Sequence, residues 1–570
     1  MNKYLYQIRI GIIITLIISV SVFPKSPKPI KAKSGMVVSA SPLASDVGIS
    51  ILKDGGNAVD AAVAVGFALA VTYPYAGNLG GGGFMVIHLN DGSNTAIDYR
   101  EKAPLKAFRD MYLDKDGNFL PELSQEGVTS AGVPGSVAGL IYALEKYGSL
   151  PLARVIQPAI DLAKNGFVLD ESMAESFKRH LKDFKKYPSS FRKFSKNGEP
   201  YKVNDLFKQP DLAWTLEQIR DFGRDGFYKG KVAELLIKQM NEMGGYITQD
   251  DLVKYNAVER EPITGNYRGY EIVSMPPPSS GGIALVELLN ILENYKIERN
   301  DWGSSKHIHR LVEAMKYTYA DRTVHLGDED FYPVPRNMLL SKSYAKKIFK
   351  SITNTATPSK QIKHGNPTDF IESTETTHYS VYDKFGNAVS VTTTINSAYG
   401  SKVVVEGAGF LLNNEMDDFS AKPGVPNQFG LLGSEANSIQ PEKRMLSSMT
   451  PTIVLKDNKP FIIVGSPGGS TIITVVLQVI MNVVDFGMDI QEAISAPRIH
   501  HQWLPDKIFT ERFAVVQDVK DNLEKMGYQF AEMYPAFRII GRAQGILIDS
   551  DAGVVYGATD PRGNGKAAGY

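Results

Sequence analysis

Apolar positions along the chain repeat first at helical spacing and later at strand spacing. Leu43, Val47 and Ile51 lie four apart behind Ser41 and Pro42, a capping residue followed by a first-turn proline, which predicts an amphipathic helix. Asp54-Gly55-Gly56-Asn57 ends that helix and caps the next, Ala58 to Val71, whose Ala and Val content predicts burial on nearly all sides. Past Pro74 and the glycine run Gly77 to Gly83 the period drops to two. Phe84–Leu89 and Thr95–Arg100 then read as a hairpin around Asn90-Asp91-Gly92. A tight turn at Gly132 feeds helical patterns that continue to about Arg220, and the basic stretch Lys178 to Lys196 reads as a solvated helix face. Tyr270–Met275 predicts a strand, Pro276–Gly282 a rigid turn, and Ile283–Tyr295 and His307–Arg322 two helices. Asn354 to Asp369 is polar and turn-rich, an exposed or flexible lead into the threonines at 374–377.

From Thr376 the pattern is β again. Thr376–Tyr382 and Ala388–Asn396 flank the turn Asp383-Lys384-Phe385-Gly386-Asn387. In the second strand Thr392, Thr394 and Asn396 share one face and Val391, Thr393 and Ile395 the other, so one face is polar: either solvent-facing or the floor of a site. Strand-rich segments and two helices complete the chain to Tyr570.

Length and charge narrow the function classes. A chain of 570 residues affords a large core, and its 62 basic and 62 acidic residues give no global field favouring nucleic acid or anionic membrane. With no cysteine there is no disulfide, thiolate metal site or cysteine nucleophile. Lys3 and Arg9 precede the apolar run Ile10 to Phe23, the right size for a signal-peptide core. Residues 1–23 are therefore expected to export the chain to the periplasm or the exterior, cleaved or kept as a membrane anchor, with 24–34 as a linker.

Candidate chemistry is scattered. The glycines at 77–83 lie between helix and strand, the reverse of a phosphate loop, and suit close backbone approach or positive φ. Arg100, beside Asp98 and Glu101, is either a surface ion pair or a clamp for a carboxylate. His307 and His309 have no third ligand nearby in sequence. Asn413 to Asp418 is a carboxylate cluster without the alternation of a calcium loop, suited to an organic amine as well as to metal. Ser447-Ser448 comes next, then Gly465 to Ser470, whose unobstructed N–H groups suit an oxyanion. Thr376 in Thr374-Glu375-Thr376-Thr377-His378 is either a strand start or a latent nucleophile. Breaking the bond after Glu375 would give it a hydroxyl and an α-amine base on one residue.

Taken together, the motifs resemble those of the γ-glutamyltranspeptidases, members of the N-terminal-nucleophile hydrolases. The resemblance runs from about Gly35 to Tyr570 through GGNAVDAAVAVGFALAVTYPYAGNLGGGGFM, IDYREKAP, TTHYSVYDKFGNAVSVT, LLNNEMDDFSAKPGVPN, LSSMTPTIV, GSPGGS, APRIHHQWLP and GATDPR. It implies an α+β fold, a four-layer αββα sandwich built by a large subunit, 35–375, and a small subunit, 376–570, intertwined as a heterodimer after self-cleavage between Glu375 and Thr376. It implies that Thr376 is the nucleophile, Thr394 the hydroxyl that orients it, and Gly468 and Gly469 the oxyanion donors. Arg100, Ser447 and Ser448 would hold the donor's α-carboxylate, and Asn396, Glu415 and Asp418 its α-amino group. The implied substrates are glutathione and other γ-glutamyl compounds, with water, amino acids or dipeptides as acceptors and no metal or organic cofactor. The alternatives are a β-lactam side-chain (glutaryl or cephalosporin) acylase on the same scaffold and an unprocessed amino-acid-binding protein. Residues Lys422 to Met445 match the lid loop that some relatives carry. Phe429 stands where bacterial relatives have Tyr, Met445 replaces a Pro, and Glu415 replaces the Gln of some members.

Overall fold

Ser41 opens the first helix as its spacing predicts: its hydroxyl accepts from Ala44 N, and the helix runs Pro42–Lys53. Asn57 caps Ala58–Thr72 through a reciprocal box with Asp60, and every residue of that helix is buried. These elements belong to a computed structural model that describes residues 27–362, 376–531 and 539–570. The apolar run Ile10 to Phe23, the residue Glu375 and the part of the polar lead beyond Ile362 lie outside the described residues. Among the described residues no helix is long and apolar enough to cross a membrane.

Two seven-stranded antiparallel sheets carry the fold. One runs, in spatial order, Lys566–Gly569, Met36–Ser39, Thr377–Tyr382, Ala388–Thr394, Gly82–His88, Asn94–Asp98, Val258–Arg260. The other runs Ile30–Ala32, Val554–Thr559, Gln544–Asp549, Lys459–Gly465, Thr452–Lys456, Tyr270–Ser274, Ile263–Tyr267. Strand alternation splits each strand's apolar residues between two layers. Val38, Phe84, Val86, Ile463 and Ile546 pack between the sheets, whereas Val37, Met85, Ile87 and Val391 face the helices Pro42–Lys53, Ala58–Thr72 and Ser136–Tyr147. On the other side Ile272, Val454, Ile462 and Val464 meet the helices Gly281–Leu292, Ser305–His325 and Ile472–Val484. The expected αββα sandwich is what results.

Local expectations change or narrow at four places. Asn396 is not on the strand, which ends at Thr394; its φ of 72° turns the chain away, so alternation does not govern where it points. As far as Ile362 the lead into Thr376 is exposed, as expected, at Asn354, Thr355, Pro358, Lys360 and Gln361, but it is anchored at Ser359. Ser359 is fully buried, donates its N–H to Asp506 Oδ2 at 2.8 Å and accepts from Trp503 Nε1 at 3.0 Å. Among the described residues three α-helices, not two, come after Ser470: Ile472–Val484, Ile490–Ser495 and Gln517–Lys525. The glycines at 77–83 serve close approach and none has positive φ; a Cβ on Gly81 would sit 2.2 Å from Thr394 O.

Candidate active site

Thr376 stands at the head of Thr377–Tyr382, a strand near the middle of its sheet, and is 7% exposed. Its hydroxyl donates to Thr394 Oγ1 at 3.5 Å, the outer limit of a hydrogen bond. Thr394 Oγ1 also accepts from Asn396 N at 2.8 Å, and Asn78 Nδ2 donates to Thr394 O at 2.8 Å. The pair is thus fixed by both the strand and the glycine-run loop. Thr392, on the same polar face, meets His378, whose ring nitrogens bond Thr392 Oγ1 and Ser380 Oγ at 2.9 and 3.0 Å. Burial pushes His378 down to about 3, so it is a neutral structural bridge between the strands Thr377–Tyr382 and Ala388–Thr394.

A cavity of about 560 Å³, counting the space that opens to solvent, lies over Thr376. It is lined by Arg100, Thr394, Asn396, Glu415, Asp418, Ser447, Ser448 and Gly469. Gly468, the other sequence-expected oxyanion donor, is adjacent in the chain but not on the lining. Its φ of 141° and the 50° of Gly469 are conformations that side chains rarely adopt. Thr471 holds the turn by donating its N–H and hydroxyl to Gly468 O, at 2.9 and 2.8 Å. Among the described residues neither glycine donates its N–H to a backbone carbonyl.

The two charged clamps expected from the sequence touch each other. Arg100 is 1% exposed and donates from Nη1 to Glu415 Oε1 at 2.8 Å and from Nη2 to Asp418 Oδ2 at 2.5 Å. The surface-pair alternative for Arg100 is therefore overturned, since the strand Asn94–Asp98 delivers it into the interior. Burial opposes the guanidinium charge, but Glu415 and Asp418 more than offset it and hold Arg100 above its ordinary value. Burial pushes Glu415 and Asp418 above the usual carboxylate range against the pull of Arg100, and pushes Glu101 up to about 8. Among the described residues the buried Glu415 Oε2 has no hydrogen-bond partner, which leaves it able to accept from an ammonium group.

At the other end, Ser447 Oγ accepts from Met449 N at 3.1 Å and Ser448 Oγ accepts from Arg322 Nη2 at 3.0 Å. A hydroxyl whose oxygen accepts internally keeps its hydrogen to donate outward. The Pro276–Gly282 turn pins this pair, since Ser447 N donates to Pro278 O at 2.9 Å and Ser280 N to Ser447 O at 2.8 Å. Sequence reading gave that turn and Arg322 no functional role; the one available signal was a basic residue on the apolar side of its helix.

Lys422 to Met445 closes the cavity with Val425, Asn427, Phe429, Leu431, Leu432 and Asn437. Asn427 Nδ2 reaches Asp418 Oδ1 at 3.3 Å, Gln428 N donates to Asp417 Oδ2 at 3.0 Å, and Gln502 Nε2 donates to Gly430 O at 3.2 Å. Met445 is fully buried against Ala103, Met111 and Phe419, and its carbonyl accepts from Arg100 Nε at 3.3 Å.

Two sheets packed face to face between helical layers, with a hydroxyl at the head of a central strand opening into the cavity, define the class of the N-terminal-nucleophile hydrolases. Within that class the chain belongs to the γ-glutamyltranspeptidase family, whose profile, Gamma-glutamyltranspeptidase, matches residues 44–570. It is 50% identical over 545 residues to the glutathione hydrolase proenzyme of Escherichia coli K12, covering 95% of this chain and 93% of that protein. A structure of Helicobacter pylori γ-glutamyltranspeptidase is 51% identical, with a TM-score of 0.57, and covers 60% of this chain and 97% of that one. A cephalosporin acylase from Bacillus halodurans superposes with a TM-score of 0.85 at 29% identity, covering 97% of this chain and 98% of that one.

Proposed function

We propose that the protein is a γ-glutamyltransferase and glutathione hydrolase that cleaves itself between Glu375 and Thr376 and then uses Thr376 as its nucleophile. Thr376 Oγ attacks the γ-amide carbonyl of glutathione or a related donor, and the freed α-amine takes the hydroxyl proton and passes it to the leaving amine. Gly468 and Gly469 N–H groups stabilise the oxyanion, and a γ-glutamyl ester forms on Thr376. Water, or the amine of an amino acid or dipeptide, then releases the glutamyl group. Arg100, Ser447 and Ser448 take the donor's α-carboxylate, while Asn396, Glu415 and Asp418 take its α-amino group. The observation that carries this reading is the opposed charge pair, Arg100 against Glu415 and Asp418 at 2.8 and 2.5 Å, in the cavity that Thr376 lines. An amino-acid head carries that same pair of charges on neighbouring atoms.

A second reading, a glutaryl or cephalosporin acylase, has the Bacillus halodurans likeness in its favour. The unpartnered Glu415 Oε2 counts against it, because a glutaryl group has no ammonium to offer. Residues 35–375 and 376–570 would remain together as a heterodimer, since strands of both build both sheets. Export to the periplasm or exterior is supported by Lys3, Arg9 and the apolar run Ile10 to Phe23. The test is purified protein on a denaturing gel, followed by release of p-nitroaniline from γ-glutamyl-p-nitroanilide with and without glycylglycine. Two chains and release stimulated by glycylglycine are expected. A single chain, or two chains that cleave only a glutaryl amide, would overturn the proposal.

A further inference from the structure

Arg322 is a buried cation with no carboxylate in ion-pair contact among the described residues; Asp418, whose charge reaches it, is bonded to Arg100. It sits on the helix Ser305–His325, is 3% exposed and lines the cavity beside Ser448. Among the described residues no carboxylate comes within 4.0 Å of its guanidinium. Burying such a group unpaired costs several kcal/mol, a cost relieved when an anion arrives. Its contacts are specific: Nε donates to Ser280 Oγ at 2.9 Å and Nη2 to Ser448 Oγ at 3.0 Å. Ser280 Oγ in turn donates to Ser447 O at 2.6 Å. One guanidinium fork therefore sets both members of the serine pair.

Arg100 has little positive charge left over for a carboxylate. Its fork is engaged by Glu415 and Asp418, and Glu101 lies 3.9 Å from Nη1. A donor's α-carboxylate entering between the serines and Arg100 meets the two carboxyl groups already bonded to that one cation. Ser447 and Ser448 supply hydrogen-bond donors but no net charge.

Resting on the assignment of the carboxylate to this end of the cavity, we propose that Arg322 is the positioning residue that makes it an anion site. It turns the Ser448 hydroxyl into an outward donor and supplies the positive charge that Arg100 shares with its acids. The consequence is specificity for donors whose α-carboxylate is free.

The experiment compares two donors on the processed enzyme, γ-glutamyl-p-nitroanilide and the same compound with its α-carboxylate converted to a carboxamide. Arg322→Gln is expected to raise KM for the carboxylate donor about 30-fold or more, the size of effect that loss of a buried charge contact produces. Its kcat should change far less, and the preference for carboxylate over carboxamide should collapse. Arg322→Lys should fall between, because an ammonium keeps the charge but cannot span both serines. Ser280→Ala leaves every charge in place and should cause a smaller KM rise for the carboxylate donor only, so the idea stays testable if the glutamine variant does not mature. An active wild type whose donor preference survives in Arg322→Lys and Ser280→Ala, or an Arg322→Gln enzyme that loses both donors equally, would overturn the proposal and leave the transferase reading standing. A wild type that cleaves neither donor would instead remove the reading it rests on.

Discussion

The ring of Phe429 lies against the backbone of Gly469, so close that a Cβ on Gly469 would sit 2.8 Å from Cδ1 of the ring. The lid tip and the oxyanion turn are thus one packed unit, and Phe429 is 5% exposed. Gly469→Ala should strain a φ of 50° by about 1–2 kcal/mol and displace the ring at once. If the N–H donor is lost with it, kcat falls on the order of 10²–10³-fold in chains that have been cut. Phe429→Ala should admit water and raise glutamate release relative to transfer product. Phe429→Tyr should lower that ratio if a hydroxyl can add a bond to the lid; an unchanged ratio in both variants would separate the ring from lid closure.

Arg100→Ala removes the partner of two buried carboxylates as well as a substrate contact. It should raise KM for γ-glutamyl donors steeply and also lower Tm, the loss of one member of a buried pair costing about 3–5 kcal/mol. Adding Glu415→Gln should recover much of the Tm but none of the KM, since the amide needs no counter-ion while the donor still lacks its contact with Arg100. Recovery of both together would mean that Arg100 acts only through the fold.

Asp417 clasps the lid through Gln428 N and accepts from Ser124 Oγ at 2.7 Å. Burial pushes its carboxyl up to about 6, against the lowering effect of the Ser124 and Gln428 bonds. A raised carboxyl favours folding below the unfolded value near 4, and that contribution is lost as pH rises through about 6, about 2–3 kcal/mol in all. Asp417→Asn, with Ser124 turned to accept, should therefore melt above the wild type at pH 8 and converge with it toward pH 4. A melting difference independent of pH would show that the ionised carboxylate carries no such penalty.

Maturation tests the nucleophile. Thr376→Ala should stay one inactive chain, Thr376→Ser should cut itself and keep some activity, and Thr394→Ala should slow both steps while the protein still folds, because one hydroxyl serves both reactions. N-terminal sequencing of the small chain decides the matter: a start other than Thr376, or normal cutting of Thr376→Ala, would mean the wrong residue has been chosen.

Much of this architecture is readable from residues whose role is local. Ser41-Pro42 and Asn57 announce helix starts through their own hydrogen bonds, and the all-apolar run from Ala58 announces full burial. The glutamyl cavity is less local. Thr376, Arg100 and Glu415 emerge together only through the family resemblance, because their convergence depends on three distant segments. Asn396 escapes the alternation that governs Thr392 and Thr394 because a left-handed residue breaks the strand's period. Ser359 looks like loop by composition and is buried by tertiary bonds to Trp503 and Asp506. Arg322 gives least away: a basic residue near a helix end is ordinary, and its meaning comes from the Ser280 and Ser448 hydroxyls supplied by other elements.

The strand order has a consequence for how the protein ages. Thr377–Tyr382 and Ala388–Thr394 lie between Met36–Ser39 on one side and Gly82–His88 on the other, so the chain after Thr376 is enclosed by the chain before it. While the backbone is continuous, an unfolded molecule can search for this arrangement alone. After the bond before Thr376 is cut, the same search needs two molecules to meet, and its rate falls with dilution. Self-cleavage would then turn a reversibly folding precursor into an enzyme whose lifetime is set by how slowly it first comes apart.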